Sequence, residues 1–162
     1  MREKIKVRDE LQNILKGLKR MKKRIVFTNG CFDILHIGHV RCLEEAKKLG
    51  DILVVALNSD RSMRSIKGPP RPFIPEAERA EVISALECVD YVVIFDELDP
   101  LQLISSLRPD ILVKGGDWTP ETTIGREVVE KVGGKVVIIP QIQGFSTSAI
   151  IDRIVKKGER AH

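Results

Sequence analysis

Gly30-Cys31-Phe32-Asp33-Ile34-Leu35-His36-Ile37-Gly38-His39 decides the fold. The apolar run Ile25-Val26-Phe27 before it has the length and composition of a strand. Val40 to Leu49 after it alternates apolar and charged residues at helical spacing. The stretch is therefore a strand-to-helix turn, with Gly30 and Gly38 supplying backbone freedom on either side. His36 and His39 stand where the helix begins. A helix start carries unpaired N–H groups and the positive end of the dipole, and both favour an anion, above all phosphate. A nearby histidine adds a donor, more strongly when protonated. Two of the three histidines are here, three residues apart. A lone histidine would read as a cap on a core helix. The pair between two glycines reads as a phosphate site.

Outward from this turn, the chain alternates strands and helices. Upstream, residues 8–22 form an amphipathic helix with Leu11, Ile14, Leu15, Leu18 and Met21 on one stripe, to pack on the body or on a partner. The first strand covers about 24–29. Downstream, Gly50-Asp51 ends the helix and Ile52 to Leu57 makes a second strand, unalternating as in a parallel sheet covered on both faces. A long irregular connection is expected from Arg61 to Pro75, with Lys67-Gly68 and four prolines. A helix from Glu76 to Leu86, a strand Tyr91–Phe95, a short helix Pro100–Leu107 and a strand Ile111–Val113 follow. Next come a helix near Gly125–Val132, a strand Lys135–Ile139, and a last helix opened by Gly144-Phe145-Ser146-Thr147-Ser148. The fold class is α/β, an open parallel five-stranded sheet of Rossmann-like type with helices on both faces. Ligands bind such sheets at the strands' carboxyl ends, where every glycine-rich or polar turn lies.

A length of 162 residues with 43% apolar content suits a single domain with its own core. No apolar run reaches membrane-spanning length and the N-terminus lacks a signal peptide's apolar segment, so a soluble, cytoplasmic protein without a membrane partner is expected. Cys31, Cys42 and Cys88 are odd in number and widely spaced, which fits free thiols rather than a zinc site. Residues 1–24 carry ten Lys and Arg against three Asp and Glu, and the remainder seventeen against twenty. The basic excess is thus confined to the first segment, read as a solvated helix face. With an aromatic content of 4%, nucleic acid is not an expected partner.

Neither Gly-x-x-x-x-Gly-Lys-[Ser/Thr] nor a Gly-x-Gly-x-x-Gly after the first strand is present, which excludes a P-loop ATPase and a dinucleotide dehydrogenase. The pattern Gly-x-Phe-Asp-x-x-His-x-Gly-His instead resembles the signature of the cytidylyltransferase-like nucleotidyltransferases, which pair it with a late Ser-Thr-[Ser/Thr] turn. Residues 24–155 share further segments with one branch: Lys48-Leu-Gly-Asp51, Asn58-Ser-Asp60, Lys67-Gly68, Arg71-Pro72, Glu78-Arg79, Leu86-Glu-x-Val-Asp90 and Leu112-Val-Lys-Gly-Gly-Asp117. That branch is the D-glycero-β-D-manno-heptose 1-phosphate adenylyltransferases. Since no sugar-kinase part is present, the resemblance is to the free-standing form. It implies a nucleotidyltransferase domain over 24–157, an N-terminal helical extension over 1–23 and a tail over 158–162.

The branch implies transfer of AMP from ATP to a heptose 1-phosphate with release of pyrophosphate, giving ADP-heptose for lipopolysaccharide or surface glycans. The alternative branch, the glycerol-3-phosphate cytidylyltransferases using CTP, usually has Thr at the position of Cys31. It also has Arg in the segment matching Glu87–Asp90 and an Arg-Thr-Glu-Gly run in place of Gln141–Gly144. Trp118 is the feature shared with it, and Gln143 departs from the Glu common in the heptose branch. A nucleotide-binding regulator without turnover is a further alternative, opposed by the intact histidines and hydroxyl turn.

By the same resemblance, His36 and His39 serve the triphosphate and its transition state, and Ser146 and Thr147 its β and γ oxygens. Lys67 either reaches phosphate as the long loop closes or is a solvated charge on that loop. Asp33 supports the turn or orients metal and acceptor. Lys114, Gly115, Gly116, Asp117 and Trp118 line base and ribose. Asn29, Gly30, Cys31, Phe32, Gly38, Gly144, Phe145 and Ser148 complete the nucleotide contacts. Mg²⁺ is expected on the nucleotide phosphates, without dedicated protein ligands. The partners are ATP and a sugar 1-phosphate, and the stripe of residues 11–21 makes a homodimer an expectation.

Overall fold

Five apolar runs become five parallel strands: β1 (Ile25–Gly30), β2 (Ile52–Asn58), β3 (Tyr91–Phe95), β4 (Ile111–Gly115) and β5 (Lys135–Ile139). They pair in the order β3-β2-β1-β4-β5. The computed structural model describes residues 2–116, 118–140 and 144–159. Asp117, Gln141 to Gln143 and residues 160–162 lie outside the described residues.

Seven helices connect and cover the strands: α1 (Arg8–Arg20), α2 (Ile37–Lys47), α3 (Asp60–Lys67), α4 (Glu76–Ser84), α5 (Leu101–Leu107), α6 (Arg126–Lys131) and α7 (Thr147–Glu159). The period-2 pleat sends alternate strand residues to opposite faces. Ile25, Phe27, Val54 and Leu112 join Leu11 and Leu15 of α1, Leu103 of α5 and Val129 of α6 in one buried cluster. Val26, Leu53, Val55 and Val113 join Leu43 of α2 and Ile83 of α4 in the other. With both faces covered, strands need apolar residues at every position, hence the unalternating runs.

The amphipathic stripe of α1 is used inside the chain. Leu11 and Leu15 are buried against the sheet, so the face that suggested a homodimer is not a free docking surface. The residues before it are engaged as well: Ile5 bridges Val92 and the Lys6 amide donates to the Val92 carbonyl at 2.9 Å, extending the β3 edge.

The expected irregular connection from Arg61 to Pro75 is corrected. Its first half is the helix α3, started by Ser59, whose hydroxyl accepts the Ser62 amide. Met63 and Ser62 are its buried residues. A helix that buries one apolar side chain leaves almost no periodic signal, so its N-cap decides its existence. Lys67 therefore ends a helix rather than riding a loop, and only residues 68–75 are irregular.

β1 pairs with β2 over six positions but with β4 over three, ending at Thr28–Val113. Beyond them the two central strands part. The strand order reverses between β1 and β4, so the crevice opens at the topological switch point.

Candidate active site

The turn after β1 is tight enough to dictate its residues. Phe32 takes a left-handed conformation with φ 46°, which bulky side chains adopt only under constraint. Its ring lies where a Cβ on Gly30 would meet it at 2.9 Å. A Cβ on Gly38 would stand 3.0 Å from Nδ1 of His36 and 3.3 Å from Cβ of Phe145. The two glycines thus make room for side chains, and both contribute to the cleft wall.

Below the turn, Asp33 is buried and its carboxylate accepts from Arg71 Nε at 2.5 Å, from the Phe73 amide at 2.9 Å and from the Ile74 amide at 2.9 Å. Burial alone would raise its pKa, but the Ile74 and Phe73 amides and the Arg71 guanidinium outweigh it and hold the carboxyl below its ordinary value. Asp33 supports the turn and does not line the cleft. Arg79 of α4, 1% exposed, donates to the Cys31 carbonyl at 2.6 Å, the Ile74 carbonyl at 2.9 Å and the Asp60 carboxylate at 2.7 Å. One guanidinium therefore joins the signature turn, residue 74 and the start of α3. In the sequence it stood out only as part of the shared pair Glu78-Arg79, which says nothing of these three acceptors.

At the start of α2 the rings of His36 and His39 stack with centroids 3.7 Å apart and planes at 24°, and Phe32 leans on His39 at 5.0 Å. Both Nδ1 atoms are buried and find no partner among the described residues. Burial pushes the His36 pKa down. Burial, and then the charge of His36, push His39 down to about 4. Both shifts favour the neutral ring at pH 7. A buried nitrogen without a partner is unusual and points to a group that arrives later.

The cleft above these rings has a volume of about 960 Å³, within the range of small-molecule sites. His36, His39, Asn29, Gly30, Cys31, Phe32 and Gly38 line it from the β1 side. Gly115, Gly116 and Trp118 line it after β4, and Phe145, Ser146 and Thr147 at the start of α7. Thr28, Arg41, Cys42, Glu45, Thr122, Ile139 and Pro140 complete the wall and were not among the expected contacts. Arg41 and Glu45 lie one helical turn apart on α2, a pairing that reads equally well as surface. Ser146 Oγ accepts the Ala149 amide at 3.1 Å, so it caps α7 and faces the cleft at once. Cys42 packs toward β4, where a Cβ on Gly115 would come within 3.0 Å of its sulfur.

Four expected contacts lie elsewhere. Lys67, at the end of α3, is exposed and outside the cleft wall. Gly144 and Ser148 are exposed beside the wall rather than in it. Lys114 lies behind the wall, where its Nζ donates to Asn29 Oδ1 at 2.5 Å. Asp117 lies outside the described residues.

A parallel α/β sheet with a cleft at its strand ends, framed by two helix starts, defines a Rossmann-like nucleotide-type scaffold. The chain belongs to the cytidylyltransferase-like family, whose profile matches residues 27–153. It is 55% identical to the bifunctional protein HldE of Syntrophotalea carbinolica over 157 residues, covering 97% of this chain and 32% of that one. With HldE of Geobacter metallireducens the identity is 56% over 153 residues, 94% of this chain and 31% of the other. The chain thus spans about a third of the length of these curated relatives. The crystal structure of the lipopolysaccharide core biosynthesis protein from Thermoplasma volcanium superposes with a TM-score of 0.60 at 33% identity, covering 74% of this chain and 97% of that one. The pantoate-beta-alanine ligase of Francisella tularensis shares the fold, with a TM-score of 0.65 at 16% identity over 86% of this chain and 68% of its own. No helix among the described residues is long and apolar enough to cross a membrane.

Proposed function

We propose that this protein is an adenylyltransferase that moves AMP from ATP to the phosphate of a heptose 1-phosphate, releasing pyrophosphate and giving an ADP-sugar for lipopolysaccharide or related surface glycans. The observation that carries the reading is the stacked pair His36 and His39 at one helix start, with both Nδ1 atoms buried and, among the described residues, unpartnered. The start of α7 opens on the same cleft. Two helix starts and two imidazoles around one cavity suit a polyphosphate. The likeness to HldE and to the lipopolysaccharide protein supports the choice of pathway.

In this reading an oxygen of the acceptor phosphate attacks the α-phosphorus of ATP in line. The bond from that phosphorus to the bridging oxygen of the β-phosphate breaks, and pyrophosphate leaves with the electron pair. No protein nucleophile takes part, so Cys31 and Cys42 shape the wall only. His36 and His39 donate to the phosphate oxygens where charge accumulates, and the helix starts act as fixed dipoles. Ser146 and Thr147 hold the β and γ oxygens, and Lys67 reaches in from the end of α3. Among the described residues no three His, Cys, Asp or Glu gather around a cation site. Mg²⁺ therefore suits a place on the triphosphate itself, where it neutralises and orients the phosphates. Residues 24–157 carry the chemistry and residues 1–23 act as a packed extension.

The test is pyrophosphate release on mixing the protein with ATP, Mg²⁺ and a panel of sugar 1-phosphates. Release with a heptose 1-phosphate is the expected result. Tight ATP binding without release for any acceptor would instead make the chain a nucleotide-binding regulator.

A further inference from the structure

Resting on the nucleotidyl-transfer reading above, we infer that Lys114 is a positioning residue that turns the side-chain amide of Asn29 so that its N–H₂ donates into the cleft, to a phosphate oxygen of the bound nucleotide. The two residues occupy the first positions past the last β1–β4 pair, Thr28–Val113. Phe27 and Leu112, two residues earlier on each strand, share one buried cluster, so Asn29 and Lys114 point to that same side. This is where the central strands separate and the crevice begins.

The chemistry of the pair fixes its orientation. An ammonium has only donors, so the atom of Asn29 that faces Lys114 Nζ is the carbonyl Oδ1. Nδ2 is then directed away from Lys114. Asn29 lines the cleft and Lys114 does not, and among the described residues Asn29 Nδ2 makes no hydrogen bond. A free donor is left facing the site. It is polarised by a cation behind it that is only 9% exposed, and in a low-dielectric interior such a chain is strengthened. A donor backed by a buried positive charge favours an anionic oxygen over a neutral one.

Lys114 is held without an ion pair to any described residue, and the described residues of the neighbouring elements bring it no charge. β1 offers Asn29, β5 pairs Ile138 with it, and the turn after β4 sets the Trp118 ring 5.6 Å from Nζ. Burial pushes its pKa down to about 8. Trp118 is the only tryptophan, so indole emission reads the charge on Lys114 directly.

Lys114→Met and Asn29→Asp test the inference in the full chain. Lys114→Met keeps the chain length but cannot orient the amide. Asn29→Asp keeps a partner for Lys114, and so the fold, but removes the donor. The expected results are an ATP dissociation constant raised ~10-fold in Lys114→Met and ~100-fold in Asn29→Asp, with urea midpoints at or above the wild type in Asn29→Asp. Wild-type affinity should fall between pH 7 and 9, and Lys114→Met should be flat over that range. Equal ATP affinity and equal pH dependence in all three proteins overturns the inference. Trp118 emission in the free protein is the second readout. A transition near pH 8 that vanishes in Lys114→Met and moves up in Asn29→Asp supports the pair, and identical titrations overturn it. If the wild type binds no ATP, the nucleotide reading fails and the phosphate assignment with it, while the Trp118 titration still tests the pair by itself.

Discussion

The Asp33 carboxylate and the Arg71 guanidinium meet at 2.5 Å, with side-chain exposures of 1% and 18%. This bond ties the signature turn to the segment after α3, and the Phe73 and Ile74 amides close on the same carboxylate. Asp33→Asn keeps the shape but cannot satisfy three donors, and it leaves Arg71 without its counter-charge. Breaking such a pair costs roughly 3–5 kcal/mol. A urea titration should show that loss, and an unchanged midpoint would mean the turn is held by Arg79 alone.

His39→Ala separates catalysis from architecture. The ring makes no hydrogen bond among the described residues, and its contacts are the stack on His36 and the tilt of Phe32. Its removal should cost at most ~1.5 kcal/mol of stability. Loss of one preorganised donor to developing charge should lower turnover by ~10²–10³. Turnover and melting temperature measured on one preparation decide it. A mutant that melts early but reacts at the wild-type rate would remove His39 from the mechanism.

The histidine pair also sets an acid limit. His39 titrates near 4 in the folded protein, below the 6.5 of an ordinary histidine. Between those values the unfolded chain binds more protons than the folded one. Stability is therefore full at neutral pH and falls as pH drops through 6.5, by roughly 3 kcal/mol once pH reaches 4. The lowered pKa of Asp33 acts in a separate window, below 3.8. A triphosphate reverses the local field and raises both histidines, so ATP binding should take up protons between pH 5 and 7. Calorimetry in buffers of different ionisation heat measures this. Binding without uptake would mean that the phosphates lie elsewhere.

Much of this arrangement was legible in the chain. Ile52 to Leu57 and Lys135 to Ile139 announce buried parallel strands because a doubly covered sheet needs apolar residues on both faces. His36 and His39 were legible because a histidine pair at a helix start after a strand faces the crevice by topology, whereas Ser146 and Thr147 were read as more than caps through the family resemblance. What the sequence concealed depends on contacts between distant positions. Arg79 is only half of a shared Glu78-Arg79 pair until α4 packs over the turn. Lys114 reads as a wall residue until the divergence of β1 and β4 brings it behind Asn29. The helix α3 was concealed because Met63 is its one buried apolar side chain.

The N-terminal helix should be indispensable to folding. Leu11 is fully buried between α1 and the sheet, and Leu11→Ala should cost ~2–5 kcal/mol. Deleting residues 1–22 should cost more, since Ile5 and Lys6 also extend the β3 edge. Thermal melts of both variants check this. A truncated protein that melts with the full chain would show that the helix contributes nothing to the core.

Transfer of AMP is read from the mass of the product. The protein is incubated with equal concentrations of ATP and CTP, Mg²⁺ and a heptose 1-phosphate, and the nucleotide-sugars are identified by mass spectrometry. The expected result is an ADP-heptose with stoichiometric pyrophosphate, and little CDP-sugar. A predominantly CDP-linked product, or consumption of neither triphosphate, would contradict the adenylyltransferase assignment.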